Sequence, residues 1–176
     1  MPPPGPFIGV STGENFSCGL SPDGRVECWG MDDPINCWLS LPGSYVDVIR
    51  PPLDVVFREI FSGIRHSCGL TPDGEIVCWG WDEYGQLAAP EGRFVDMDLG
   101  YAHGCAIGED GRVSCWGCGT GEHDGYDHDF GQCDPPEASF VDIAVGGPNS
   151  CGVRTDGRVQ CWGCLPYTWM ETCTPP

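Results

Sequence analysis

The chain carries thirteen cysteines, whose spacing would suit redox chemistry, metal binding or disulfide bonding. The segments 115–118 and 161–164 both have the CxxC spacing that zinc sites and redox enzymes use. We predict disulfides instead, because pairs of cysteines ten positions apart recur with a repeat that explains them. Twelve cysteines then pair, and Cys37 is either free or bridges to another molecule. The predicted pairs are Cys18 with Cys28, Cys68 with Cys78, Cys105 with Cys115, Cys151 with Cys161, Cys118 with Cys133 and Cys164 with Cys173.

The acidic segment 122–129 is the second group of residues with chemical potential. Its carboxylates Asp124, Asp127 and Asp129 would offer oxygen ligands to Ca²⁺, and histidine beside aspartate suits a transition metal. The spacing does not match an EF-hand loop, and we favour a solvated acidic insertion held by Cys118 and Cys133. We therefore expect no cofactor, with Ca²⁺ as the alternative.

The other polar residues give no catalytic pattern. His66 and His103 occupy equivalent positions of the repeat, which favours a structural hydrogen-bonding role. Nothing in the sequence resembles a Ser, His and Asp triad. We predict that the chain is not an enzyme.

The cysteines belong to a unit of constant spacing that occurs four times. Each copy runs from a Phe eleven positions to a Cys, then ten positions to a second Cys followed by Trp-Gly. Linkers of unequal length join the copies, which is typical of repeat proteins. We predict one repeat domain over 1–176, with repeat cores at 7–30, 57–80, 94–117 and 140–163.

Each copy has the pattern of a β-hairpin. In the first, Phe16 to Leu20 is followed by Pro22-Asp23-Gly24, where Asp-Gly supplies the positive φ of a tight turn. A three-residue loop places Cys18 opposite Cys28, at a Cα separation of about 4.5 to 5.5 Å that a disulfide can bridge. A further strand precedes each hairpin, and the linker offers a fourth. The predicted fold is all-β, with blades of antiparallel strands held by disulfides.

Charge and cysteine content limit the partners and the compartment. The net charge is −18 and no lysine is present, which argues against nucleic acid and anionic membranes as partners. No segment has the apolar length of a membrane span. Thirteen cysteines favour an oxidising compartment, so we predict an extracellular or cell-surface protein.

The second copy carries a family resemblance. Its sequence from Gly63 through His66-Ser-Cys and Asp73-Gly74 to Cys78-Trp79-Gly80, followed by Gly85-Gln86-Leu87, resembles a bacterial-type repeat of the regulator of chromosome condensation family. The resemblance implies a β-propeller, often of seven blades, that serves as a protein-binding platform; members include a nucleotide-exchange factor and a secreted β-lactamase inhibitor. With four units, the alternatives are a compact four-bladed ring, an open arc, or a ring or filament of several chains.

Aromatic residues outside the repeat core are our candidates for a binding surface, because such side chains dominate protein interfaces. Asn15-Phe16-Ser17 is an acceptor sequence for glycosylation, so glycans are a further expectation. The aromatic candidates are Trp38, Trp81, Trp169, Tyr84 and Tyr126.

We interpret the chain as a structural or adhesive module that associates with copies of itself. Both ends are proline-rich, which suggests that Pro2–Pro6 of one molecule docks near the end of the next and builds a surface fibre. One alternative is a secreted protein binder or enzyme inhibitor. Another is a metal-dependent carbohydrate binder or enzyme that uses the segment 122–129.

Overall fold

A computed structural model describes residues 2–30, 50–119 and 130–163. These residues form four three-stranded antiparallel sheets, which we call blades 1 to 4 in chain order. In each blade the three strands lie side by side in chain order. The strands are β1 (Gly9–Thr12), β2 (Phe16–Leu20) and β3 (Val26–Gly30) in blade 1; β4 (Glu59–Ser62), β5 (His66–Leu70) and β6 (Ile76–Gly80) in blade 2; β7 (Phe94–Leu99), β8 (Gly104–Gly108) and β9 (Val113–Trp116) in blade 3; β10 (Phe140–Val145), β11 (Ser150–Arg154) and β12 (Val159–Trp162) in blade 4.

The turn between the second and third strands explains the recurring Asp-Gly. In blade 1 the Gly24 amide donates to the Ser21 carbonyl at 2.9 Å, and Gly24 itself has φ of 81°. Glycine adopts this left-handed conformation without steric penalty. The loop sets the register that places Cys18 opposite Cys28, and their Cα atoms are 4.0 Å apart.

The first Phe of each repeat packs within its own blade. The ring of Phe57 covers Gly69, where an added Cβ would lie 2.3 Å from the ring. The Phe57 and Trp79 rings are 5.6 Å apart, and the same pairing joins Phe140 to Trp162 at 5.7 Å. The Phe and the Trp-Gly that mark the repeat are therefore packing residues.

The core of the protein lies between the blades. The first hydrophobic cluster joins blades 1 and 2, the second joins blades 2 and 3, and the third joins blades 3 and 4. Among the described residues no cluster joins blade 4 back to blade 1. The fold is thus a disulfide-stapled β-propeller arc, and in the described part of the chain each blade has three strands.

Candidate protein-interaction surface

One hydrogen bond recurs wherever two blades meet. The Phe57 amide of blade 2 donates to the Gly24 carbonyl at the hairpin turn of blade 1, at 2.8 Å. Phe94 and Gly74 form the same bond at 2.8 Å, as do Phe140 and Gly111. The repeat spacing therefore fixes how each blade attaches to the one before it.

Apolar side chains surround this bond in each interface. Between blades 1 and 2, the Cys18 disulfide, Leu20 and Val26 pack against Ile60 and Trp79. Equivalent positions fill the other two interfaces. Each blade therefore presents two different faces: one carries the cystine and two aliphatic residues, and the other carries Phe, an apolar residue and Trp.

Neighbouring blades also approach closely at the turns between their first and second strands, which we call the inner turns. Gly13, Gly63, Gly100 and Gly146 occupy the same repeat position, and an added Cβ on the first three would lie 2.7, 2.5 and 2.0 Å from the next glycine's carbonyl oxygen. Glycine is needed there because no side chain fits. At Gly146 the three atoms nearest to an added Cβ all belong to Asn149 of its own blade.

Among the described residues, no other blade covers one face of blade 1. Val10 is 67% exposed, whereas the equivalent Ile60, Met97 and Ile143 are at most 7% exposed. We call Phe7, Val10 and Trp29 the first-blade face.

In the part of the chain that the structure describes, no blade covers the opposite face of blade 4. Val159 is 46% exposed, whereas the equivalent Val26 is 9% exposed. An added Cβ on Gly157 would have nothing within 4 Å, whereas one on Gly24 would lie 2.9 Å from the Phe57 carbonyl oxygen. We call Cys151, Val153 and Val159 the fourth-blade face. The two faces are the two halves of an interface that the chain builds three times internally.

The inner turns of all four blades line one open pocket of about 350 Å³, with segments 12–14, 62–64, 99–101 and 146–147 around it. Nearby, Asp98 accepts a hydrogen bond from the Val145 amide at 2.7 Å, and burial raises its pKa. The described residues contain no group of three His, Cys, Asp or Glu side chains placed to hold a metal ion. The inner turns of the four blades thus lie together around this pocket.

The cysteines within the described residues are paired through disulfides. Four of these disulfides join the second and third strands of a blade, each with Cα atoms 4.0 Å apart. Cys118 bonds to Cys133 across 6.0 Å between Cα atoms. The other predicted disulfide, Cys164 with Cys173, lies outside the described residues, as does Cys37.

The predicted binding and metal-binding residues are only partly described. Trp81 and Tyr84 contact each other edge to face with ring centroids 5.1 Å apart, and the Arg65 guanidinium lies 5.5 Å from the Trp81 ring. Asn15 is exposed, as a glycosylated asparagine must be. Its glycosylation stays a prediction. The remaining candidates, Trp38, Trp169, Tyr126, Asp124, Asp127 and Asp129, lie outside the described residues.

The two histidines of the repeat are buried between blades. The His103 Nε2 lies 2.9 Å from the Ser150 hydroxyl of the next blade. Burial lowers the pKa of His103 to about 4, and it does the same to His66, where the nearby His103 adds to the effect. Both rings are therefore neutral at pH 7 and contribute to blade packing.

Two buried glutamines have a packing role that the sequence did not predict. Gln86 and Gln132 are 0% and 4% exposed, and each follows a glycine with positive φ. The main-chain carbonyl oxygen of Gln86 accepts a hydrogen bond from the indole N–H of Trp116 at 2.8 Å. That of Gln132 accepts one from the indole N–H of Trp162 at 3.0 Å. The sequence does contain a signal for this role. Gly85-Gln86 and Gly131-Gln132 recur in two linkers whose other residues vary.

These shared positions agree with a family match. The model of the regulator of chromosome condensation (RCC1) repeat matches residues 57–86, 94–121 and 140–164. Three of its four repeats are RCC1 repeats. A comparison with curated protein sequences finds no match.

Solved structures with the same fold support the assignment of a propeller of RCC1 repeats. The ectodomain of the receptor kinase ACR4 from Arabidopsis thaliana is 25% identical with a TM-score of 0.64; 89% of this chain aligns with 49% of that one. The entire ectodomain of the receptor kinase CR4 from Physcomitrella patens is 27% identical with a TM-score of 0.65, and the alignment covers 89% of this chain and 40% of that one.

Prp20p from Saccharomyces cerevisiae, a protein with binding properties to Gsp1p and histones, shares the fold at 18% identity and a TM-score of 0.68. Its alignment covers 91% of this chain and 44% of Prp20p. This chain therefore spans less than half the length of each of these three proteins. It shares their β-propeller fold. No helix long and apolar enough to cross a membrane occurs in the described residues.

Proposed function

We propose that the chain is an extracellular, non-enzymatic structural module that binds protein, and that its partner is a second copy of itself. The contact joins the fourth-blade face of one molecule to the first-blade face of the next. An open series of such contacts builds a fibre, and a closed series builds a ring.

One observation carries this proposal. Val10 and Val159 are 67% and 46% exposed, at positions that are covered in each internal interface between blades. The missing side of each face is present at the other end of the same chain. A second copy therefore offers a partner of matching shape and polarity.

The extracellular assignment is supported by covalent chemistry and by similarity. The described residues contain five disulfides, which persist in oxidising compartments. The plant proteins that resemble the chain are receptor-kinase ectodomains. A net charge of −18 keeps the exposed surface well solvated.

The size of the protein in solution tests the proposal. Light scattering of the purified chain should show species heavier than one 19.0 kDa chain. Val10→Asp should reduce the protein to single chains, because it places a charge in the first-blade face. The matched control is Val95→Asp in blade 3, since Val95 is 49% exposed and lies on neither face. Single chains for the unaltered protein would contradict self-association and favour a secreted binder of another protein.

A further inference from the structure

We infer that the chain has a second docking surface, which binds a segment of another protein that carries apolar residues beside lysine or arginine. The surface lies where the first strands of blades 2, 3 and 4 begin, at the opposite end of these strands from the inner turns. It is separate from the first-blade face and the fourth-blade face. The inference therefore does not rest on the proposed self-association.

One position of the repeat, directly after its first Phe, is apolar and exposed in three blades. Ile8, Val95 and Val141 occupy it and are 66%, 49% and 61% exposed. The exposure of Val95 does not come from a missing neighbour, because blade 3 packs against blade 2 on one side and blade 4 on the other. Single exposed apolar residues are common, whereas a group of them at one place marks an interaction site.

The backbone holds these side chains out of the blade. The pairing between the first and second strands of blades 3 and 4 passes over Val95 and Val141, each of which forms a β-bulge. A bulge turns its side chain away from the regular pattern of the strand. Arg58, the equivalent residue of blade 2, donates a hydrogen bond from its guanidinium to the Val95 carbonyl at 3.0 Å. Neighbouring blades therefore bring this repeat position close together.

The next residue of each of these strands is a carboxylate, namely Glu59, Asp96 or Asp142. Burial raises the pKa of Asp96, and the charges of Asp142, Glu59 and Asp98 raise it further, so carboxylates from three blades lie near one another. Within the described residues, none of these four carboxylates forms an ion pair with an arginine. The negative charge beside the exposed valines is thus left unbalanced.

We call Val95 and Val141 with Glu59, Asp96 and Asp142 the first-strand patch. Its complement is an apolar side chain flanked by positive charge, because charges of opposite sign across an interface favour binding and select the partner. A second copy of the chain is a poor occupant, since it carries a net charge of −18 and no lysine. The patch therefore fits a different, basic protein.

Selection from a library of short random peptides on the purified protein tests the chemistry of the partner. In about 0.15 M NaCl, where distant charges are screened, we expect the selected peptides to place an aliphatic or aromatic residue beside Lys or Arg. Replacing the apolar residues of a selected peptide by serine should weaken its binding. Selected peptides without basic residues, serine variants that bind as tightly, or no selected peptides at all would overturn the inference.

Variants of the protein test the place of binding. Val95→Ser removes an apolar contact. The double variant Asp96→Asn with Asp142→Asn removes two charges and keeps the Oδ1 atoms that accept hydrogen bonds from the following amides. Each change should weaken the binding of a selected peptide by about 5-fold or more, as residues at the centre of an interface do.

Glu83→Gln is the matched control, because Glu83 is exposed in the linker after β6, at the other end of blade 2. It should bind the peptide as the unaltered protein does. Patch variants that bind as tightly as this control would overturn the inference. Peptide binding by a protein that stays a single chain would support the first-strand patch and contradict self-association, whereas association without any selected peptide would do the reverse.

Discussion

At the scale of single residues, one repeat position shows how blades differ while keeping the same backbone. The position is Phe16 in blade 1, His66 in blade 2, His103 in blade 3 and Asn149 in blade 4. The His103 ring contacts the Ser150 hydroxyl of the next blade, while both ring nitrogens of His66 have no hydrogen-bond partner among the described residues. Two buried imidazoles therefore make the stability of the arc sensitive to pH.

Acid should destabilise the protein through these histidines. Their folded-state pKa is about 4, against 6.5 for an unperturbed histidine, so only the unfolded chain takes up these protons between those values. Their stabilising contribution is complete above pH 6.5 and falls as the pH drops toward 4. At about pH 5 the loss should be on the order of 2 kcal/mol for each histidine. Urea unfolding at neutral pH and at about pH 5 measures it.

The repeat itself supplies the control variants. His66→Phe copies blade 1 and His103→Asn copies blade 4, and neither new residue titrates in this range. The double variant should lose less stability on acidification than the unaltered protein. Burial raises the pKa of Asp96 and Asp98, so their protonation acts in the opposite direction and is common to both proteins. An equal loss in the two proteins would contradict the assignment to histidine.

The inner-turn glycines give a second prediction at this scale. An added Cβ at Gly100 would lie 2.0 Å from the Gly146 carbonyl oxygen, whereas one at Gly147 would have nothing within 4 Å. Gly100→Ala should therefore lower the free energy of unfolding by about 1 to 3 kcal/mol through overpacking. Gly147→Ala should change it little. Thermal unfolding of the two variants makes the comparison, and equal melting temperatures would contradict the close approach of blades 3 and 4.

At the scale of elements, the sequence predicts the hairpins well because their determinants are local. Asp23-Gly24 fixes the turn, and the turn fixes the register that opposes Cys18 and Cys28. The contacts between blades join residues that are far apart in the sequence, so the sequence predicts them less well. Val10 and Ile60 are alike in type and repeat position, yet one is 67% and the other 7% exposed. Among the described residues, only Ile60 packs against another blade. Residue type alone does not show which faces lack a neighbour.

Two disulfides of similar loop length should differ in their effect on stability. Cys68 and Cys78 are separated by 10 residues, and Cys118 and Cys133 by 15, so loop entropy predicts about 3 kcal/mol for either. Cys68 is fully buried in the second hydrophobic cluster, whereas Cys118 and Cys133 are half-buried. Replacing Cys68 and Cys78 by Ala should therefore cost more, because it also leaves a cavity. Urea unfolding of the two double variants decides, and equal losses would contradict a packing role for the hairpin cystine.

At the scale of the whole molecule, the number of repeats was readable from the sequence but their closure was not. Whether blade 4 meets blade 1 depends on small rotations between blades, which no single residue encodes. The proline-rich ends suggested that Pro2–Pro6 makes the intermolecular contact, whereas the structure shows uncovered sheet faces at Val10 and Val159. The proposed contact therefore lies on the blades, and its strength depends on apolar packing working against the charge of the molecule.

That opposition predicts how salt acts on self-association. Each copy carries a net charge of −18, so two copies repel. The proposed head-to-tail contact, which we call the joint, would consist of apolar side chains and one backbone hydrogen bond, as the internal interfaces do. Raising NaCl from about 0.01 M to about 0.15 M shortens the screening length from about 30 Å to about 8 Å and weakens the repulsion. The associated chains should therefore separate at a lower protein concentration in the higher salt, as light scattering over a dilution series would show. A joint held by ion pairs would respond in the opposite direction, because screening weakens attraction between exposed charges as well. Tighter association at low salt would thus contradict the apolar joint.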